Sequence, residues 1–312
     1  MKNKALKRLI YSLSVLVTLL SFFPVTSYGF IKKDTVLNDS KKDTVPANTG
    51  FKIKTIIIDP GHGGAPSSTT GHFSHGASGS FSSERNVTLA IGRKLQAAIE
   101  KEMTGVKAVM TRTTEDDVSF ERRAEIANEN KGNIFVSIHC NSLSDRHITK
   151  KVGTKRHKPV YKTMSVPDRS GKGVLLLVYG LKRTREAENE IKKNQIEGES
   201  ELDGGALDPN DPVTIILTNE YKRKFRQQSI NLATLINKEF VDTDGRPSEG
   251  IREQSIYVLC HSSMPSVLVE TGYINNPDDE AYLNSEDGQN EIVNSIVRAL
   301  TNYKNEVELV SK

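Results

Sequence analysis

His62, Glu84, His139 and Glu270 are the residues of this 312-residue chain best suited to hold a metal ion and to move a proton. His62 ends the β-branched run KTIIIDPGH (54–62), His139 ends NIFVSIH (133–139), and Glu270 ends SVLVE (266–270). Glu84 opens SSERNVTLAIGRKLQAAIE (82–100), where the apolar spacing is helical. A strand that ends on such a side chain delivers it to the rim of an α/β sheet, where ligands bind. Three strand ends and one helix start can converge on one point. Two imidazoles and one carboxylate make a His₂Glu zinc site with an open fourth position for water. The remaining glutamate is then free to carry a proton. These residue types in this pattern read as a zinc hydrolase.

The elements that must position them follow from periodicity. Strands are expected at 54–59, 107–111, 133–139, 174–179, 255–259 and 266–270, and helices near 84–102, 119–130, 220–240 and 287–304. In the last helix Ile292, Val293, Ile296, Val297 and Leu300 form one apolar face. Strands alternating with amphipathic helices predict an α/β fold: a single three-layer domain with a largely parallel central sheet flanked by helices. Such a chain buries a substantial core without disulfides. Cys140 and Cys260 each end a predicted strand. They could close a long loop as a disulfide or remain two buried thiols, and no C-x-x-C spacing supports zinc ligation by cysteine. Asp59 is expected to fix the turn or orient His62 rather than bind metal. His72 and His75 lie in a Gly/Ser/Thr-rich loop and His147 and His157 in a basic run, so all four are expected in solvent. His261, near the rim, is expected to serve structure more than the site.

The first 29 residues have the layout of a secretory signal peptide. MKNKALKR carries four positive charges, an uncharged apolar run LIYSLSVLVTLLSFFPV follows, and Ser27 and Gly29 offer a small-residue cleavage site. Cleavage is favoured over a retained anchor because the run contains Ser, Thr and Pro. Residues 1–29 hold four of the 43 Lys+Arg and none of the 39 Asp+Glu, so the exported chain is formally neutral. Bulk charge therefore gives no support to nucleic-acid binding, and no membrane partner is expected after signal cleavage. Residues 30–52 read as a solvated linker, with KKDTV repeated at 32–36 and 41–45. The globular domain is expected over 53–305, with a short tail at 306–312.

Residues 143–219 break the strand–helix rhythm and read as an insertion. Nine Lys/Arg and one acid, Asp168, fall in 146–172, whereas 186–211 holds nine acids and two basic residues, Lys192 and Lys193. A long insertion beside a catalytic rim is usually functional or disordered. Two solvated faces attracting each other and a regulatory role are equally compatible with this composition.

The segments IIIDPGHGG (56–64), SERNVTLAIGRKL (83–95), VMTRTTEDD (109–117), ERRAEIAN (121–128), FVSIHCNS (135–142) and PSVLVETGYINNPDDEAYL (265–283) occur in one order along the chain. The ordered set resembles the zinc-dependent N-acetylmuramoyl-L-alanine amidases of bacterial cell-wall turnover, in particular the catalytic domain of cell-separation amidases. The resemblance implies that His62, Glu84 and His139 ligate Zn²⁺ and that Glu270 is the catalytic acid/base. It further implies a peptidoglycan substrate, cleaved at the amide joining the lactyl group of N-acetylmuramic acid to L-alanine. Related chains often carry a helical insertion after the second zinc histidine, where a glutamate plugs the open zinc position until a LytM-type activator withdraws it. Here Lys193-Asn194 stands where those chains tend to read Glu-Asn, leaving Glu190, Glu197 and Glu199 as candidates for the plug. The insertion points to a periplasmic location, or to the cell surface or secretion in a Gram-positive cell. A zinc peptidase acting on the stem peptide and a catalytically silent wall-binding module remain the alternatives.

Overall fold

The computed structural model describes residues 51–64, 74–180, 184–196 and 211–310. The expected signal, nearly all of the linker, His72, Glu197 and Glu199 lie outside the described residues. Along the chain run β1 (Thr55–Pro60), α1 (Glu84–Glu102), β2 (Lys107–Met110), α2 (Phe120–Glu129) and β3 (Ile134–Asn141). A hairpin follows, β4 (Arg146–Lys155) and β5 (Lys158–Val166), then β6 (Val174–Tyr179) and α3 (Thr184–Ile191). After them come α4 (Pro212–Lys238), β7 (Ser248–Gln254), α5 (Tyr257–His261), β8 (Ser266–Tyr273), α6 (Pro277–Asn284) and α7 (Glu286–Val310).

Six strands form one sheet in the order β2-β1-β3-β8-β6-β7. The pairs β1/β2, β1/β3, β3/β8 and β6/β7 are parallel, and β6 runs antiparallel to β8. The Ile and Val runs are buried on both faces, as a covered parallel sheet requires. Strand alternation sends Ile56, Ile58, Val136, Ile138, Val267 and Val269 into one core, packed under α1, α4 and α7. Ile57, Phe135, Leu175, Leu177 and Leu268 face a second, smaller core that includes Val258 and Leu259 of α5. The result is the three-layer α/β arrangement expected from the sequence.

The parallel register brings the strand ends together. Pro60 pairs with Ile138, and His139 pairs with Glu270. β1, β3 and β8 therefore bring the side chains near their carboxyl ends to one rim, although β3 and β8 run on past His139 and Glu270 to Asn141 and Tyr273.

The structure differs from expectation in several places. Residues 255–259, expected as a strand, lie mostly in the short helix α5. There the Tyr257 ring stacks on His261 at 3.7 Å, and His261 Nδ1 lies 3.0 Å from the Tyr257 carbonyl. Asn128 Nδ2 also donates to the His261 carbonyl at 2.9 Å. These contacts outweigh the strand preference of the β-branched and aromatic residues. Helix α4 begins at Pro212 rather than near 220, with Asp211 accepting hydrogen bonds from the Val213 and Thr214 amides. The exposed Val213, Ile215, Ile216 and Leu217 hide its amphipathic period from a sequence reading. Helix α7 continues through Val310, past the expected end of the domain at 305. The β4–β5 hairpin, the charged edge strand β7 and helix α6 were not expected from the sequence at all. Cys140 and Cys260 are both free and buried, in different cores. Among the described residues, no helix is long and apolar enough to cross a membrane.

Candidate metal centre

Beyond β1 the backbone turns sharply at the rim. His62 has φ 60°, in the left-handed region, and Gly63 and Gly64 follow with φ 154° and 86°. A non-glycine residue held there is strained, by an amount on the order of 1–3 kcal/mol, and such strain persists only where surrounding contacts over-determine it. Arg123 Nη2 donates to the His62 carbonyl at 2.6 Å, and Ser74 Oγ lies 2.5 Å from His62 Nδ1. The imidazole is thereby aimed so that Nε2 sits 3.1 Å from Glu84 Oε1.

Glu84 is the first residue of α1 and is 3% exposed. Its Oε1 also lies 3.0 Å from His139 Nδ1 and accepts from the Cys140 amide at 2.9 Å. Oε2 accepts from the Ala77 amide at 2.7 Å, while the Glu84 amide donates back to the Ala77 carbonyl at 2.9 Å. Burial alone would raise the carboxyl pKa. The hydrogen bonds from His139 and His62 outweigh it and hold the group well below the usual carboxylate range. For His139, burial opposes the charged ring, but the hydrogen bond to Glu84 prevails and raises its pKa. One ligand atom from each of His62, Glu84 and His139 lies within 4.8 Å of the others. The space is kept clear by two glycines. A Cβ on Gly61 would meet the His139 ring at 2.3 Å, and one on Gly76 would meet Glu84 Oε2 at 2.5 Å.

Glu270 stands beside this cluster, opposite His139 across the β3–β8 ladder. Burial pushes its pKa up to about 7, against the lowering effect of the His139 charge and with a further rise from Glu84. Its Oε2 is buried and has no hydrogen-bond partner among the described residues. A buried unpartnered carboxylate oxygen beside two imidazoles and an ionised carboxylate is a donor arrangement that fits a metal ion with an attendant water.

Residues away from the cluster hold it in place. Asp59 does not join the metal group. Its carboxylate is buried and accepts from Thr111 at 2.6 Å, Arg123 at 2.7 Å and Ser137 at 2.7 Å. It therefore fixes the turn, as its place before Pro60-Gly61 suggested. Arg112 completes the clamp by donating to the carbonyls of Pro60, Gly61 and Arg85 at 2.9, 3.0 and 2.7 Å.

Sequence reasoning missed Glu280 on α6, which is buried. Its Oε2 accepts from the Ser80 amide at 2.8 Å and from the Ser80 hydroxyl. Its Oε1 accepts from the Phe81 and Ser82 amides at 2.8 and 2.9 Å and the Ser82 hydroxyl at 2.8 Å. Burial would raise its pKa, but these bonds bring it down to about 2. The loop so gathered is the one that leads into Glu84. The signal was the acidic PDDE stretch after Asn276, which reads only as a helix start until the fold is known.

The other candidates fall elsewhere. Glu190 Oε2 accepts from Asn194 at 3.1 Å, and the Glu190 carbonyl accepts from Ser263, which precedes β8. This is the end of β8 opposite Glu270, so Glu190 is not the plug. His261 packs in α5 and lies 3.5 Å from Glu186, a structural role. His75 Nδ1 lies 3.1 Å from Arg85, so it is engaged rather than simply solvated, while His147 and His157 are exposed. No described ion pair joins the basic 146–172 stretch to the acidic one. Among the described residues Lys172 pairs with Asp278, and Glu188 with Lys222.

Residues 56–302 match the family model described as N-acetylmuramoyl-L-alanine amidase. The chain is 25% identical over 303 residues to N-acetylmuramoyl-L-alanine amidase AmiA of Salmonella typhimurium, covering 96% of this chain and 94% of the relative. It is 30% identical over 261 residues to the probable amidase AmiB of Haemophilus influenzae, covering 80% of this chain and 52% of that protein. The crystal structure of an N-acetylmuramoyl-L-alanine amidase from Clostridium difficile 630 shares the fold, with TM-score 0.52 and 21% identity over 82% of this chain and 98% of that one.

If the Glu280 nest positions Glu84, Glu280→Gln weakens metal retention about 10–100-fold, the range found when groups supporting metal ligands are changed. Competition with a chelator reads the affinity, and circular dichroism checks that the fold is kept. Unchanged affinity would show that α1 sets Glu84 without help from α6.

Proposed function

The chain belongs to the N-acetylmuramoyl-L-alanine amidase family, and we propose that it works through a Zn²⁺ ion held by His62, Glu84 and His139, with Glu270 as the acid/base. It is a peptidoglycan hydrolase that cleaves the amide between N-acetylmuramic acid and the L-alanine of the stem peptide. The observation that carries the zinc reading is the convergence of two imidazoles and one ionised carboxylate within 4.8 Å, next to a carboxylate whose buried Oε2 has no hydrogen-bond partner among the described residues. When bound, zinc supplies Lewis acidity, lowering the pKa of a water to about 7 and polarising the scissile carbonyl.

The chain's own residues supply the rest. Glu84 brings the negative charge that favours a cation, and two backbone amides keep that carboxylate oriented. Glu270 Oε2 is the site's free acceptor, placed to take a proton from water and return it to the departing alanine nitrogen. Its upward shift toward neutrality suits both tasks, because a group titrating near the working pH can accept and then donate. Removal of such a group costs typically about 10²–10⁴-fold in rate.

The amino-terminal segment is assigned as an export signal on its charge and apolar pattern, which places the enzyme in the periplasm, or on the cell surface if the cell is Gram-positive. Autoinhibition by the insertion, relieved by a LytM-type activator, would draw its occluding carboxylate from Glu197 or Glu199, since Glu190 is engaged at the far end of the sheet.

Three experiments test these assignments. Mass spectrometry of products released from purified peptidoglycan by zinc-loaded protein should show stem peptides that begin with L-alanine. Glu270→Ala should keep the metal and lose about 10²–10⁴-fold in turnover, whereas His62→Ala should lose metal and turnover together. Products cleaved within the stem peptide would favour the peptidase reading, and zinc-dependent turnover retained by Glu270→Ala would remove it from the mechanism. For the insertion, deletion of residues 197–209 should raise basal activity, and equal activity with and without them would refute occlusion by this segment.

A further inference from the structure

The β4–β5 hairpin is rooted at the catalytic rim. It leaves the end of β3 just beyond His139 and returns to β6, where Leu175 pairs with Glu270. Asn275 Nδ2 donates to the Leu143 carbonyl at 3.0 Å and the Asp168 carbonyl at 2.9 Å, so one side chain holds both feet. Asn276 Nδ2 adds a bond to the Arg169 carbonyl at 2.9 Å. The hairpin is thus fixed at its base, while its two strands form a separate sheet that is exposed along nearly its whole length.

Its charges are arranged against its own stability. Lys150 pairs directly with Lys162, and Lys155 with Lys158. Like charges opposite one another destabilise a sheet, and an isolated two-stranded hairpin is marginal already. Among the described residues none of these four lysines has an ion-pair partner. Lysines on free strand edges also discourage aggregation, which alone would explain the charge. It does not explain what lies between them. Strand alternation puts Lys158, Val160, Lys162 and Met164 on one face, and Ile148 joins that face as the cross-strand partner of Met164. Val160 and Met164 are exposed, as are Val152 at the bulge and Tyr161 on the other face. A water-soluble polyanion would be met by the cations and would leave these apolar groups in water. An anionic bilayer meets both, with headgroups for the lysines and the acyl boundary for the aliphatic and aromatic tips.

We propose that the β4–β5 hairpin docks the enzyme onto an anionic lipid surface, holding the catalytic rim beside the membrane rather than free in solution. This reverses the expectation that the exported chain has no membrane partner. That expectation rested on removal of the amino-terminal apolar run, and the formally neutral net charge of the exported chain averages the hairpin cations away. The docking does not depend on the zinc assignment, so the two can fail separately.

The test is co-sedimentation of the exported protein with phosphatidylcholine vesicles, with and without phosphatidylglycerol, at low and high salt. Binding should require phosphatidylglycerol and fall with salt. Near an anionic bilayer each lysine contributes about fivefold, so Lys150→Ala/Lys162→Ala should weaken partition about 25-fold. Cleavage of a soluble muropeptide should stay unchanged in that variant, which also shows that it folds. Val160→Ser/Met164→Ser should weaken vesicle binding at constant charge. The proposal is overturned by binding that ignores phosphatidylglycerol or by binding that survives Lys150→Ala/Lys162→Ala. It is equally overturned if Val160→Ser/Met164→Ser is silent while soluble polyphosphate competes fully, which would assign the hairpin to a dissolved polyanion.

Discussion

One buried carboxylate ties the rim together. Asp59 joins Thr111 beyond β2, Ser137 of β3 and Arg123 of α2, and Arg123 passes the constraint on to the carbonyls of Pro60 and His62. Breaking such a pair by removing one partner leaves an uncompensated buried charge, at a cost of about 3–5 kcal/mol. That is a large share of the roughly 5–15 kcal/mol that holds a typical domain folded. The left-handed backbone at His62 depends on it, and so does the direction of the first imidazole. Neither Asp59 nor Arg123 needs to touch substrate for the site to depend on both.

A second layer of support acts on Glu84. The parallel register sets His139 and Glu270 side by side without further help, because they are direct partners across adjacent strands. Glu84 comes from a helix, and its position follows from the loop before it. That loop is gathered by Glu280 and spaced by Gly76, where any Cβ would strike the metal group. The candidate metal group therefore combines two imidazoles set at the ends of β1 and β3 with one carboxylate set by a folded loop. Glu270, the proposed acid/base, shares the rigid sheet with His139, consistent with sites on regular elements being held more tightly than sites on loops.

Much of this was legible in the sequence, for identifiable reasons. Buried parallel strands write continuous Ile/Val runs, so the residue that ends each run is visible without a structure. That is why His62, His139 and Glu270 could be picked out, and why the start of α1 could be read at Glu84. Asp59 was legible as a turn residue from its place before Pro60-Gly61, but its partners were not, since Arg123 meets it only through tertiary packing. Glu280 lies 200 residues from Ser80, and nothing local marks the pair. Residues 255–259 misled because a buried one-turn helix and a buried strand share the same apolar signature. The hairpin left no core-facing alternation, so its strands read only as a basic stretch, and a formally neutral chain gave no hint that its cations share one face.

Zinc K-edge X-ray absorption on the metal-loaded protein tests the proposed ligand set most directly. A His₂Glu site should give a shell of two imidazole nitrogens near 2.0–2.1 Å and carboxylate or water oxygens near 2.0–2.2 Å, with no sulfur. That shell should remain unchanged in Glu270→Ala, whereas His139→Ala, like His62→Ala, should retain no zinc. A sulfur scatterer near 2.3 Å, which would bring Cys140 into the site, or a first shell altered by Glu270→Ala, would contradict it.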